Sequence, residues 1–172
     1  MKYKAHSATG FAVGSILAYY GDASFVEGTL LVGSAGLGSL LPDIDHRGSW
    51  IGRRLKVVSK IVGFRTSHRG ATHAPLVTIL FAAFMYGLVA LWSPAVALYG
   101  AVGLLGGMWS HIALDALTKG GVPLLFPLTK KKFRIASFRT GGAIEKSIEA
   151  IATLLFIGYG SLAFFQAVQS YF

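Results

Sequence analysis

The chain has 172 residues, no cysteine and a formal net charge of +9. Apolar residues make up 53% and charged residues only 13%, about half the usual charged share. This balance excludes a disordered chain, a coiled coil and a disulfide scaffold, and it leaves too few charges to cover a soluble globule. Without a thiol, a cysteine nucleophile and a sulfur metal site are excluded as well. One all-α domain over residues 1–172 is expected, a polytopic helical membrane protein.

Lys2 and Lys4 open the chain, followed by two short apolar runs, 7–20 and 28–41. Asp22 and Glu27 lie between them. Each run has fourteen residues, short for a span. Their small residues, Gly10, Gly14, Ser15, Gly33, Ser34, Gly36 and Gly38, suit close helix packing, which predicts a membrane hairpin. A polar, basic stretch covers 42–73. Residues 75–92 are continuously apolar, and Ser93-Pro94 makes a tight turn. Residues 95–117 are apolar until Ser110, His111 and Asp115. A second basic stretch covers 118–147, and 148–168 forms the last apolar run. About 20 apolar residues cross a bilayer core, so about five membrane helices are expected.

All sixteen Lys and Arg fall before 7, within 42–73 or within 118–147. With five crossings, every one of them lies on the cytoplasmic side, as the positive-inside rule requires. The N-terminus is then cytoplasmic and the C-terminus outside. The basic charge therefore reports topology, and nucleic acid is not expected as a main partner. No small-residue cleavage site follows the first apolar run, so a cleavable signal peptide is not expected.

This topology brings five histidines and several acids to one membrane depth. His6 begins the first helix. Asp43, Asp45 and His46 follow the second, and His68 and His73 precede the third. His111 and Asp115 end the fourth, where i, i+4 spacing puts both on one face. Glu145 opens the fifth. A buried charge is costly unless it is paired or bound to metal. Imidazole and carboxylate without sulfur suit Zn²⁺, Mn²⁺ or Fe²⁺. The donors suffice for one or two ions, with Asp43 or Asp45 as a base toward bound water. Arg47, Arg69 and Arg139 are candidates for binding phosphate.

His6, Leu41-Pro42-Asp43-Ile44-Asp45-His46, His68-Arg69-Gly70-Ala71-Thr72-His73 and His111-x-x-x-Asp115 with Thr118 and Gly120 resemble the YdjM/YbcI family across the whole chain. Its members are bacterial inner-membrane proteins described as membrane-bound metal-dependent hydrolases. That family is distantly similar to zinc-dependent phospholipases C and single-strand nucleases. Their His-x-x-x-Asp pair matches His111 and Asp115. Their later His-x-x-x-Glu pair has no counterpart here, since only Glu145 or Glu149 could stand in. The resemblance implies a metal-dependent hydrolase of the inner membrane.

The expected activity is hydrolysis of a phosphoester, lipid-linked or otherwise amphiphilic, at the cytoplasmic face. The bilayer itself, with its anionic lipids, is the expected partner. The alternatives are a non-catalytic metal-binding membrane protein and an ion or proton transporter. A transporter needs polar groups through the membrane depth, whereas 75–109 carries no charge. The topology is open to test: a reporter fused after Phe172 is expected to be active only outside the cytoplasm. Cytoplasmic activity would remove one crossing, first of all from the 7–41 hairpin.

Overall fold

The structure, a computed structural model, describes residues 1–65 and 69–170. Five long helices carry the apolar runs: α1 (Tyr3–Tyr20), α2 (Phe25–Gly38), α5 (Pro75–Ala90), α6 (Pro94–Ala116) and α7 (Ala143–Gln169). Two short helices, α3 (Trp50–Arg54) and α4 (Lys56–Arg65), lie in the basic stretch between α2 and α5. The protein is all-α; among the described residues, β structure is limited to two isolated bridges. Phe25–Asp45, Pro94–Ala116 and Ala143–Gln169 have the length and apolarity to cross a bilayer, while Pro75–Ala90 is apolar but shorter.

Helix boundaries follow local chemistry. At the start of α2, Ser24 and Glu27 form a reciprocal capping box, so Glu27 belongs to the first helical turn. Pro75 and Pro94 occupy the first turns of α5 and α6, where a missing N–H costs nothing. The cap of α5 is Ala74. Pro75 holds Ala74 extended, which leaves 71–73 free to form a separate 3₁₀ turn. A second 3₁₀ turn, Leu41–Asp45 with Pro42 in its first turn, follows α2.

Helix α1 packs along α7, α2 and α6, and α6 also packs against α2 and α5. Small residues permit these approaches. A methyl group on Gly107 of α6 would overlap the Ala35 carbonyl and the Ser39 amide of α2. One on Gly38 would meet the Leu104 carbonyl. Gly10, Gly14 and Gly36 of the expected packing set are similarly crowded, whereas Gly33 faces open space. The outward faces of α5 and α7 are apolar and exposed, as lipid contact demands. After α6, residues 118–138 fold back on its end. Ile135 N–H donates to Ala116 O, Phe138 N–H to Leu117 O, and Val122 is buried against Ile112 and Ala116.

Two equal substitutions on α6 separate close packing from lipid exposure. Gly107→Ala is expected to destabilise the protein by about 1–3 kcal/mol, because backbone cannot yield as a side chain can. Gly100 meets nothing within 4 Å of an added Cβ, so Gly100→Ala should be neutral or slightly stabilising. Thermal unfolding in detergent distinguishes the two.

Candidate metal centre

Four side chains converge where α6 ends. Ligand atoms of Asp43, His73, His111 and Asp115 all lie within 4.8 Å of one another. His73 Nε2 is 3.7 Å from Asp43 Oδ1 and 3.6 Å from Asp115 Oδ2. His111 Nε2 is 3.7 Å from the same two oxygens. Asp43 comes from the 3₁₀ turn after α2, His73 from the turn before α5, and His111 and Asp115 from one face of α6. His73, His111 and Asp115 are buried; the Asp43 side chain is 19% exposed and gives the centre its open side.

Both imidazoles are oriented from behind. His111 Nδ1 lies 2.6 Å from the Ser39 carbonyl, which accepts only, so Nδ1 carries the proton. Nε2 then turns its lone pair toward the carboxylates, buried and with no hydrogen-bond partner. His73 Nδ1 lies 3.1 Å from Thr72 Oγ1, which itself donates to Asp45 Oδ2 at 2.9 Å. The order Nδ1–H to hydroxyl to carboxylate leaves Nε2 facing the centre. Burial holds the His73 imidazole below its ordinary pKa, against the raising effect of Asp43. A neutral imidazole is the form that binds metal.

His6 joins from α1. Its ring stacks on His111 with centroids 3.7 Å apart, and its Nε2 is 3.5 Å from Asp115 Oδ1. It is fully buried, and neither ring nitrogen has a hydrogen-bond partner.

Arg69 closes one side of Asp115. Its Nε is 2.8 Å from Asp115 Oδ2, and its Nη2 donates to Oδ1 at 2.9 Å. Nη1 donates to Thr118 Oγ1, and the backbone N–H to Asp45 Oδ2 at 3.0 Å. Gly120 leaves room for the guanidinium, which a Cβ there would overlap. The N-terminal amine lies 2.8 Å from Asp115 Oδ1. The fork expected to receive phosphate is thus engaged with a carboxylate.

The other sequence candidates lie apart from the four. Asp45 stands behind His73 and Arg69. Glu145 is buried, but its oxygens accept the Lys2 and Gly141 N–H groups, both at 2.6 Å. It therefore pins the start of α1 to the start of α7. His46, Arg47 and Arg139 are exposed. His68 lies outside the described residues. The Ser39 carbonyl was missed by sequence reasoning, because a backbone acceptor has no sequence signature. Thr72 was visible only as a member of the His68-Arg69-Gly70-Ala71-Thr72-His73 motif.

The chain matches the model of the family described as YdjM inner membrane protein over residues 1–170. It is 34% identical over 154 residues to YvsG of Bacillus subtilis (strain 168), covering 90% of this chain and 91% of that protein. It is 47% identical over 122 residues to the inner membrane protein YdjM of Escherichia coli (strain K12), and equally to that of Shigella flexneri. Those two matches cover 69% of this chain and 60% of each relative's length. No solved structure matches significantly.

The Arg69–Asp115 pair makes a stability test. Arg69→Ala leaves a buried carboxylate without its guanidinium, at a cost of about 3–5 kcal/mol. Arg69→Lys should recover part of this, since an ammonium restores charge without the fork. Thermal unfolding in detergent measures both; an unchanged midpoint in Arg69→Ala would show that Asp115 does not depend on the pair.

Proposed function

The chain belongs to the YdjM inner membrane protein family, and from that premise we propose that it is a membrane-bound metal-dependent hydrolase of phosphoesters, working at the cytoplasmic face. The observation that carries the reading is the convergence of two imidazole nitrogens and two carboxylate oxygens on one point. Ligands about 2.1 Å from a tetrahedral ion lie about 3.4 Å apart, close to the 3.6–3.7 Å between nitrogens and oxygens here. The orphaned His111 Nε2 is the group an ion would satisfy. Two of the four ligand atoms are carboxylate oxygens, hard donors that suit a divalent cation.

Asp43, His73, His111 and Asp115 would hold the ion, with zinc the best fit and manganese or iron next. Bound there, a divalent ion supplies a Lewis acid for a phosphoryl oxygen and acidifies water. His6, beside Asp115 Oδ1, is placed to take up a proton or to help hold a second ion. Asp43, the partly exposed member, faces the approaching substrate. Asp45 acts through Thr72, keeping His73 in the tautomer that ligates. Arg47 remains at the surface for an anionic substrate or headgroup. An N-terminus on the cytoplasmic side places all these groups on that face.

Elemental analysis of detergent-purified protein is expected to give one to two zinc or manganese ions per chain, on the order set by the four to six donors available. Asp43→Asn should lower the metal content sharply and abolish hydrolysis of a chromogenic phosphodiester, with little change in thermal stability. Protein that neither carries metal nor gains it on incubation with Zn²⁺ or Mn²⁺ would end the metal reading. Metal bound without any hydrolysis would end the enzyme reading alone.

Thr72→Val gives a finer test. The valine keeps the shape but breaks the bridge from His73 to Asp45. Metal affinity should fall by about 10–100-fold, as for other outer partners of ligating histidines. Equal affinity in a chelator competition would remove Asp45 from the site.

A further inference from the structure

Helix α4 turns its apolar side away from the protein. Ser59 is fully buried, and a Cβ on Gly63 would meet the Asp45 carbonyl. At about 100° per residue these two positions share one face. Val57, Ile61 and Phe64 share the opposite face, and they are 72%, 62% and 85% exposed. A surface helix in water carries polar residues there.

Basic residues border this face. Lys56 and Lys60 lie on α4, and Arg53 and Arg54 end α3 just before it. Residues 46–69 contain no Asp or Glu. Trp50 carries Arg54 stacked over its ring at 3.6 Å, an amphipathic pair of the kind found at membrane interfaces. The segment after α6 repeats the pattern. Leu128 and Ile135 are 90% and 80% exposed, next to the exposed Lys130, Lys131 and Lys132. Helix α4 packs on the turn that carries Asp43, and Ile135 N–H donates to Ala116 O, next to Asp115.

The geometry points to α4 as an interfacial helix that lies in the headgroup layer of an anionic leaflet. Its apolar face meets acyl chains, and its lysines and the α3 arginines meet lipid phosphates. A second copy of the chain would bring the same acid-free basic segment, and like charges would oppose that pairing. Because Gly63 rests on the Asp45 carbonyl, docking of α4 holds the Asp43–Asp45 turn at headgroup depth. The assignment does not depend on a bound metal or on hydrolysis.

The cysteine-free chain makes a site-specific test direct. Ile61→Cys, Phe64→Cys and, as an exposed control, Arg139→Cys are each labelled with a nitroxide in the full-length protein. The proteins are reconstituted into vesicles of phosphatidylcholine with or without phosphatidylglycerol. Collision with oxygen, which prefers the acyl region, is compared with collision with a water-soluble nickel chelate. In phosphatidylglycerol vesicles the oxygen-to-nickel ratio at Ile61 and Phe64 is expected to exceed that at Arg139 severalfold. In the Ile61→Cys background, Lys56→Gln with Lys60→Gln should lower that ratio severalfold, as should omission of phosphatidylglycerol. Nickel access at Ile61 equal to that at Arg139 would overturn the proposal. Shielding from both reagents would also overturn it, since the face would then be covered by protein. A high ratio indifferent to anionic lipid and to both lysines would overturn the anionic-headgroup assignment.

Discussion

The Asp115 carboxylate is the constraint on which the rest of the centre depends. It sits at the last turn of an otherwise apolar helix, 1% exposed, where a lone charge would cost several kcal/mol. Arg69 supplies a guanidinium to both oxygens, and His6, His73 and His111 crowd the remaining space. These partners come from the start of α1 and from the segment before α5, with His111 one turn earlier on α6. The requirement to compensate one carboxylate thus ties distant parts of the chain to one end of the bundle. Glu145 adds a second tie by accepting the Lys2 N–H, which fixes where α1 begins and so where His6 stands.

Helix packing and site chemistry are linked through α2 and α6. Gly107 lets α6 approach the Ala35 carbonyl and the Ser39 amide. Only at that distance can His111 Nδ1 reach the Ser39 carbonyl, and that bond decides which nitrogen faces the carboxylates. Small residues in membrane helices ordinarily serve van der Waals contact between backbones. Here the same contact sets the tautomer of a buried imidazole. A shift of α6 along α2 would therefore disturb the centre without touching any of its four side chains.

Much of this was legible in the sequence, and the misses have physical causes. The i, i+4 spacing of His111 and Asp115 gave a shared face, and the apolar runs brought His73 and Asp43 to the same end. Family membership was legible in the three motifs. Arg69 was read as a phosphate fork, but its positive φ of 57° and the space at Gly120 aim its guanidinium inward at Asp115. His46 follows Asp45 directly, yet the 3₁₀ turn ends there and His46 is extended and exposed. Glu145 satisfies two backbone N–H groups, and any residue can provide such donors, so no pattern announces them. Helix α4 lies in a stretch that was expected only to be polar and basic. Only packing shows that the small residues face inward and the large apolar ones outward.

The charge distribution bears on the hydrolase reading. Lys and Arg dominate the basic stretches, and they draw anions toward the membrane surface. The centre itself is the opposite, with Asp43, Asp45 and Asp115 gathered around two turns and a helix end. A phosphate arriving there would meet carboxylates, and the Arg69 guanidinium is already committed to one of them. Like charges in a site of low dielectric repel strongly. A divalent cation held by Asp43, His73, His111 and Asp115 would offset that charge and allow an anion to bind beside it. On this reading Asp43, His73, His111 and Asp115 would hold the cation, and the basic surroundings would attract the phosphoester toward it. The exposed edge of Asp43 is then where the cation-loaded centre and the anionic substrate meet.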